Sequence, residues 1–184
     1  MDMIVNDRAV DNLRMRAKTI SRLRDFLDTR QFVEVETPVL ASLAGGASAE
    51  PFKTHSRALQ QDLTMRVAPE LFLKQLVIGG MPRVYEIGKQ FRNEGIDATH
   101  NPEFTTCEVY QAYSNVQDMY TLTQDVLRDL VMHINGAMAV QVKLSSGVDS
   151  IVDFTGDFKR IDITERLASI LGPLPPLNDT CICA

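Results

Sequence analysis

Between Phe104 and Ala112, every second residue could contact a ligand: Phe104, Thr106, Glu108, Tyr110 and Ala112 offer a ring, a hydroxyl, a carboxylate and a phenol. In a strand these positions share one face, advancing about 7 Å per pair of residues. Thr105, Cys107, Val109, Gln111 and Tyr113 then share the other. The first line suits a small ligand with a flat end and a cationic end. The loop just upstream adds Arg92, Glu94, His100 and Asn101. A guanidinium at Arg92 can fork two hydrogen bonds onto a phosphate, which a lysine cannot do in the same plane. Glu70 is a further acid, directly after Pro69 at the start of a predicted helix. Taken singly, an Arg-x-Glu pair is commonly a surface ion pair and a strand phenylalanine is commonly core. The joint arrangement is what points to a site. A metal site within the chain is not expected. Mg²⁺ prefers a few carboxylates together with substrate phosphates, and strand phase separates Glu103 from Glu108.

These residues need elements to hold them. Arg83 to Phe91 and Glu103 to Tyr113 read as two strands of a long antiparallel hairpin, joined by the polar loop RNEGIDATHNP, residues 92–102. That loop exceeds the usual span of about two to five residues, and long ordered loops are often functional. Leu13, Ala17, Ile20, Leu23 and Leu27 form one helical stripe and predict a helix over 11–30. A short strand is predicted over 32–36, where Val33 and Val35 alternate with glutamates, and another over 64–67. Pro69 suits the first turn of a helix to Ile78 that stops at Gly79–Gly80. A second amphipathic helix is predicted over 116–134, capped by Ser114 or Asn115. A hairpin over 142–154 turning at Ser145–Ser146–Gly147, a short helix over 161–171 and an irregular tail over 172–184 complete the reading.

Composition limits the function classes. The chain has 184 residues and a net charge of −5, with 45% apolar and 23% charged residues, which are globular values. A chain devoted to coating nucleic acid should be basic, so any such contact here is local. No apolar run reaches the roughly 20 residues of a membrane helix; the stretch 71–78 is broken by Lys74 and Gln75. The N-terminus has no apolar signal segment. Cys107, Cys181 and Cys183 are too few for a disulfide scaffold and read as reduced intracellular thiols.

FVEVETPVL (32–40) resembles motif 1 of the class II aminoacyl-tRNA synthetases, and FRNEGIDATHNPEFTTCEVYQAY (91–113) resembles motif 2 in its lysyl form. GGASAEPFKTH (45–55) and RVAPELFLKQLVIGG (66–80) are similar to the lysyl-tRNA synthetase family rather than its aspartyl and asparaginyl relatives. The resemblance implies an α+β fold, an antiparallel sheet flanked by helices and incomplete in this chain. It implies ATP binding by Arg92, Asn93, Glu94, His100, Asn101 and Phe104, with Arg92 catalytic at the α-phosphate. It implies lysine binding by Gly46, Glu70, Glu108 and Tyr110. Lysine, ATP with Mg²⁺ and tRNA(Lys) follow as substrates and partners. A homodimer through the motif 1 region follows too, with no membrane partner. The implied location is the cytoplasm, with the mitochondrion as alternative.

Two parts of the family pattern have no counterpart in residues 1–184, read as a partial catalytic domain. One is motif 3, the Gly-rich segment with a closing arginine, together with the late acids that hold Mg²⁺. The other is an N-terminal β-barrel that reads the anticodon. These residues alone are therefore expected to give no ATP–pyrophosphate exchange, and a chain extended through motif 3 to give it. Three readings stand at this point: part of a lysine–tRNA ligase, a non-catalytic form that dimerises or binds ligands, and a paralogue that lysylates a protein.

Overall fold

In the computed structural model, which describes residues 2–43, 45–144 and 147–172, the N-terminal apolar stripe forms a helix. Along the chain lie α1 (Asp2–Val5), α2 (Asp7–Asp28), β1 (Val33–Glu34), β2 (Leu40–Ala41), β3 (Lys53–Ser56), β4 (Gln61–Met65) and α3 (Glu70–Ile78). Then follow β5 (Arg83–Phe91), β6 (Glu103–Gln111), α4 (Val116–Asn135), β7 (Ala139–Lys143), β8 (Asp149–Asp153) and α5 (Ile163–Leu171). The residues up to 137 gather into one unit and those from 138 into another.

α2 begins earlier than the stripe predicts and ends two residues sooner. Gln31 takes a left-handed φ of 65°, and the Phe32 N–H turns back to donate to the Leu27 carbonyl at 3.1 Å. That reversal sends Phe32 into the core. There it packs with Phe26, Leu27 and Tyr85, all at most 5% exposed, and with Leu23, Ile87, Val109, Leu122 and Val126. α2 and α4 are pinned together by a forked ion pair, Arg22 to Asp129, at 2.7 and 2.6 Å.

The central sheet has the order β1-β5-β6. β5 and β6 are antiparallel over nine residues each, from Arg83↔Gln111 to Phe91↔Glu103. This is the long hairpin the sequence predicts, two residues shorter at its end. β1 departs from the antiparallel expectation, since its two residues run parallel to β5. A second sheet, β2-β4-β3, is antiparallel throughout. Strands β2 and β3 have no prediction, because Lys53–Ser56 shows no apolar alternation. Both are held by backbone pairing, β2 through Leu40 and Ala41 and β3 with exposed polar side chains.

α4 starts where the sequence places it. The Asn115 side chain accepts from the Gln117 and Asp118 N–H groups, and Asp118 accepts from the Asn115 N–H, which completes a capping box. Asn115→Ala is expected to lower the unfolding free energy by about 1 kcal/mol. Urea denaturation checks this, and an unchanged midpoint would assign the cap no weight.

The second unit pairs β7 with β8 in the register Val142↔Ser150. That agrees with the predicted hairpin, whose turn residues Ser145 and Ser146 lie outside the described residues. Asp162 caps α5 by accepting from the Glu165 N–H at 3.1 Å. The predicted tail beyond Gly172, with Cys181 and Cys183, also lies outside them.

Candidate active site

The alternation of β6 sorts its side chains as the sequence implies. Val109 joins the helical core, and Thr105 accepts from Arg16 of α2 at 2.9 Å. Phe104, Thr106, Glu108 and Tyr110 take the opposite face. By register the same face of β5 carries Val84, Glu86, Gly88 and Gln90, directly across from Tyr110, Glu108, Thr106 and Phe104. α3 packs against both strands.

At the loop end of this face, Arg92, Glu94, Gly95, Thr99, His100, Asn101 and Phe104 line a cavity of about 210 Å³. Five of the six residues expected to bind ATP are therefore brought together. The Arg92 guanidinium lies over the Phe104 ring at 5.1 Å, and its Nε donates a long bond to the Val67 carbonyl at 3.4 Å. Most of its donor capacity stays open to a ligand. Asn93 does not line the cavity; its N–H donates to the Glu50 carbonyl at 2.8 Å. The Glu50 N–H in turn donates to Glu94 Oε1 at 3.2 Å. The small-residue loop is thus tied to the motif 2 loop.

Asp97, which sequence reasoning passed over, organises the loop. Its Oδ1 accepts from the Thr99 N–H (2.7 Å), the Thr99 hydroxyl (2.9 Å) and the His100 N–H (2.8 Å). His100 Nδ1 sits 2.9 Å from the same carboxylate. The Thr99 amide first, then the His100 ring, hold the Asp97 carboxyl well below the usual carboxylate range. The legible signal was an Asp two residues before a Thr, the spacing of an Asx turn.

Farther along the face, the four residues expected to bind lysine also converge. Gly46 has φ +89°, and a Cβ there would come within 3.0 Å of the Glu70 Cβ. A glycine is needed both for the backbone angle and for the approach to Glu70. Glu70 opens α3 and pairs with Lys74 at 2.6 Å. The Tyr110 hydroxyl donates to Glu108 Oε2 at 3.2 Å. Burial pushes the Glu108 carboxyl up; the Tyr110 bond opposes this, the Glu70 and Glu86 charges add to it, and Arg66 counters it. Burial, then the Glu108 charge, raises the Tyr110 phenol far above its ordinary range.

Behind these acids is a buried pair. Arg66 and Glu86 side chains are each 4% exposed and joined through Nη1 and Oε1. Glu86 Oε2 accepts from the Thr37 hydroxyl at 2.6 Å. Arg66 Nη1 also donates to the Thr37 hydroxyl at 2.9 Å, and its Nε to the Lys89 carbonyl at 3.0 Å. Removing one partner of such a pair typically costs about 3–5 kcal/mol. Sequence reasoning missed Arg66, Thr37 and Glu86. Sorting β5 by alternation would have set Glu86 on the site face.

Among the described residues, no group of three or more His, Cys, Asp or Glu side chains could hold a metal ion. No helix there is long and apolar enough to cross a membrane.

The family described as tRNA synthetases class II (D, K and N) matches residues 1–174. Among curated proteins, a lysine–tRNA ligase of Cladosporium cladosporioides is 50% identical over 179 residues, 97% of this chain and 30% of that protein. A lysine–tRNA ligase of a Roseiflexus species is 47% identical over 172 residues, 94% of this chain and 34% of its own. A probable cytoplasmic lysine–tRNA ligase of Encephalitozoon cuniculi is 46% identical over 176 residues, 94% of this chain and 34% of its own. The chain spans about a third of the length of the curated relatives it matches. With the family matched along nearly all its residues, and with β1 of the motif 1 segment and β6 of the motif 2 segment flanking β5 in one sheet, the chain belongs to the class II tRNA synthetases of the D, K and N group.

Proposed function

We propose that this chain carries the lysine- and ATP-binding part of a lysine–tRNA ligase. What supports the reading is one strand face. Phe104 lines the cavity with Arg92, Glu94, His100 and Asn101, and the same face continues to Glu108 and Tyr110 beside Glu70. A nucleotide at one end and a diamine acid at the other would meet between them, at Arg92. The relatives named as lysine–tRNA ligases point the same way.

In the proposed first step a lysine carboxylate oxygen attacks the α-phosphorus of ATP, and pyrophosphate leaves with the bonding electrons. Arg92 forks onto the phosphate oxygens, where charge builds in the transition state. Phe104 stacks on the base, Glu94 reads the adenine side, and His100 and Asn101 lie by the phosphates. Glu70 and Glu108 receive the two ammonium groups, with Tyr110 adding selectivity, because an uncharged analogue would leave these groups unpaired. In the second step a ribose hydroxyl of tRNA attacks the lysyl carbonyl and AMP departs. The chain contributes positioning and charge rather than a covalent nucleophile. Mg²⁺ finds no protein cradle of three or more acidic, His or Cys side chains among the described residues. An ion arriving with ATP would rely on phosphate oxygens.

A homodimer belongs to the same proposal. Leu13 and Met15 of α2, Val33 of β1 and Leu40 of β2 are exposed apolar residues in and around motif 1. An isologous contact would cover them. The cytoplasm is the proposed location, after the Encephalitozoon relative.

The test is ATP–pyrophosphate exchange by the intact protein with each of the group's three amino acids. Lysine is expected to support exchange at least about 10³-fold better than aspartate or asparagine, whose charge opposes or fails the acid cluster. Exchange with aspartate or asparagine in place of lysine overturns the reading. Label transfer to tRNA, and not to a protein acceptor, separates a tRNA ligase from a protein-lysylating paralogue.

A further inference from the structure

The site face carries three carboxylates, and a lysine brings only two ammonium groups. Glu70, Glu86 and Glu108 come from α3, β5 and β6, and Glu86 stands directly across from Glu108 in the sheet. Three clustered acids with no cation among them would repel one another, and one would take up a proton. The cluster is instead supplied with two cations, the exposed Lys74 on Glu70 and the buried guanidinium of Arg66 on Glu86. Arg66 follows β4 directly, and its backbone is fixed on both sides. Its N–H donates to the Val39 carbonyl at 2.8 Å, and its carbonyl accepts from the Phe91 N–H at 3.1 Å. Its side chain is held by Thr37, Lys89 and Glu86. Gly88 lies under the guanidinium, and any Cβ there would collide with Arg66 Nη2. Both oxygens of Glu86 are occupied, one by Arg66 and one by Thr37.

We propose that Arg66 is a positioning residue that sets the charge of the amino-acid pocket: it takes Glu86 out of play, so that two carboxylates, Glu70 and Glu108, face the ligand. The inference rests on the lysine reading above and adds to it a residue that does not touch the ligand. Its consequence is that, among the described residues, Glu108 and the Lys74-paired Glu70 are the carboxylates left to meet the two ammonium groups of lysine. Arg66 also favours an ionised Glu108, while Glu86 and Glu70 oppose it. The groups that face Glu108 are thus Tyr110 on its own strand, Glu86 on β5, Glu70 on α3 and Arg66; Lys74 pairs with Glu70.

The experiment measures lysine KM against pH in the intact protein, in wild type, Arg66→Met, Arg66→Lys and Glu86→Gln. Glu108 must be ionised to hold an ammonium, so KM rises as pH falls through its titration. Arg66→Met removes a positive charge, and its midpoint is expected to move up by about one pH unit. Lysine KM well below both midpoints should then be about tenfold higher than in wild type. Glu86→Gln removes a negative charge and nearly preserves shape, so its midpoint should move down. Arg66→Lys, which keeps the charge without the fork, should stay near wild type in midpoint. A residue that merely supports the fold would weaken binding in both variants without opposite midpoint shifts. Shifts in the same direction, or none, overturn the inference. If Arg66→Met does not fold, as circular dichroism would reveal, Glu86→Gln decides alone: a downward midpoint supports the inference and an unmoved one overturns it. Failure of wild type to use lysine at all would instead sink the lysine reading.

Discussion

Replacing Arg92 with alanine is expected to slow adenylate formation by about 10³-fold, at saturating lysine and ATP, with the fold retained. The size follows from what the side chain does and does not do. It is half-buried at the strand-to-loop junction, its one bond to protein, to the Val67 carbonyl, is long, and it rests on Phe104. Little structure depends on it. A guanidinium aimed at a phosphate acts most strongly when charge builds on the equatorial oxygens, so its loss falls on the chemical step more than on ground-state binding. Single-turnover adenylate formation separates the two. A drop of less than about threefold in that rate constant, with ATP still bound, would remove Arg92 from the proposed chemistry. Arg92→Lys should recover only part of the loss, because an ammonium cannot make the planar fork.

Glu108→Gln should weaken lysine about 10²-fold, seen in KM for lysine, while KM for ATP hardly moves. Truncating one side of a desolvated charge pair commonly costs about 2–5 kcal/mol, or roughly 30-fold and upward. Glutamine keeps the volume and can still accept from the Tyr110 hydroxyl, so packing is preserved. The pH dependence gives a second readout with a definite sign. In wild type the Glu108 carboxyl is raised by burial. Lysine affinity is therefore full above that raised value and is lost as pH falls through it. In the glutamine variant the part of this limb that Glu108 contributes should vanish. An unchanged lysine KM, or an acidic limb that the substitution leaves unmoved, would assign the ammonium contact elsewhere.

What the sequence made legible follows the strength of its periodic signals. The nine-residue strands β5 and β6 alternate clearly, so their pairing and faces could be read before any coordinates. α4 could be placed because an apolar stripe followed two candidate caps, Ser114 and Asn115, of which the structure uses Asn115. The candidate site residues were picked out for a different reason, namely that the motif segments resemble a family dense in functional positions. Strand β2 was not legible because two residues carry no periodicity, and β3 because its side chains are polar and exposed, so only backbone pairing defines them. The end of α2 was misread because the stripe carries no mark of the left-handed turn at Gln31. Asp97 and Arg66 act through other side chains, Asp97 by holding His100 and Arg66 by holding Glu86. A linear scan for ligand-contacting residues passes over partners brought together by the fold.

The β5–β6 register has a consequence for quality control. In the middle of that ladder, rungs with core residues (Tyr85↔Val109, Ile87↔Cys107) alternate with rungs on the site face (Val84↔Tyr110, Glu86↔Glu108), and both faces belong to the same two strands. A slip of one residue would turn Glu108 and Tyr110 toward α2 and α4, and Val109 toward the amino acid. Such a misfolded chain would bury charge and expose its core in the same step. Errors in this hairpin should therefore appear as protein that is lost to aggregation or degradation, and not as folded protein with an altered pocket. A register error here is removed by whether the molecule survives, before any ligand is met.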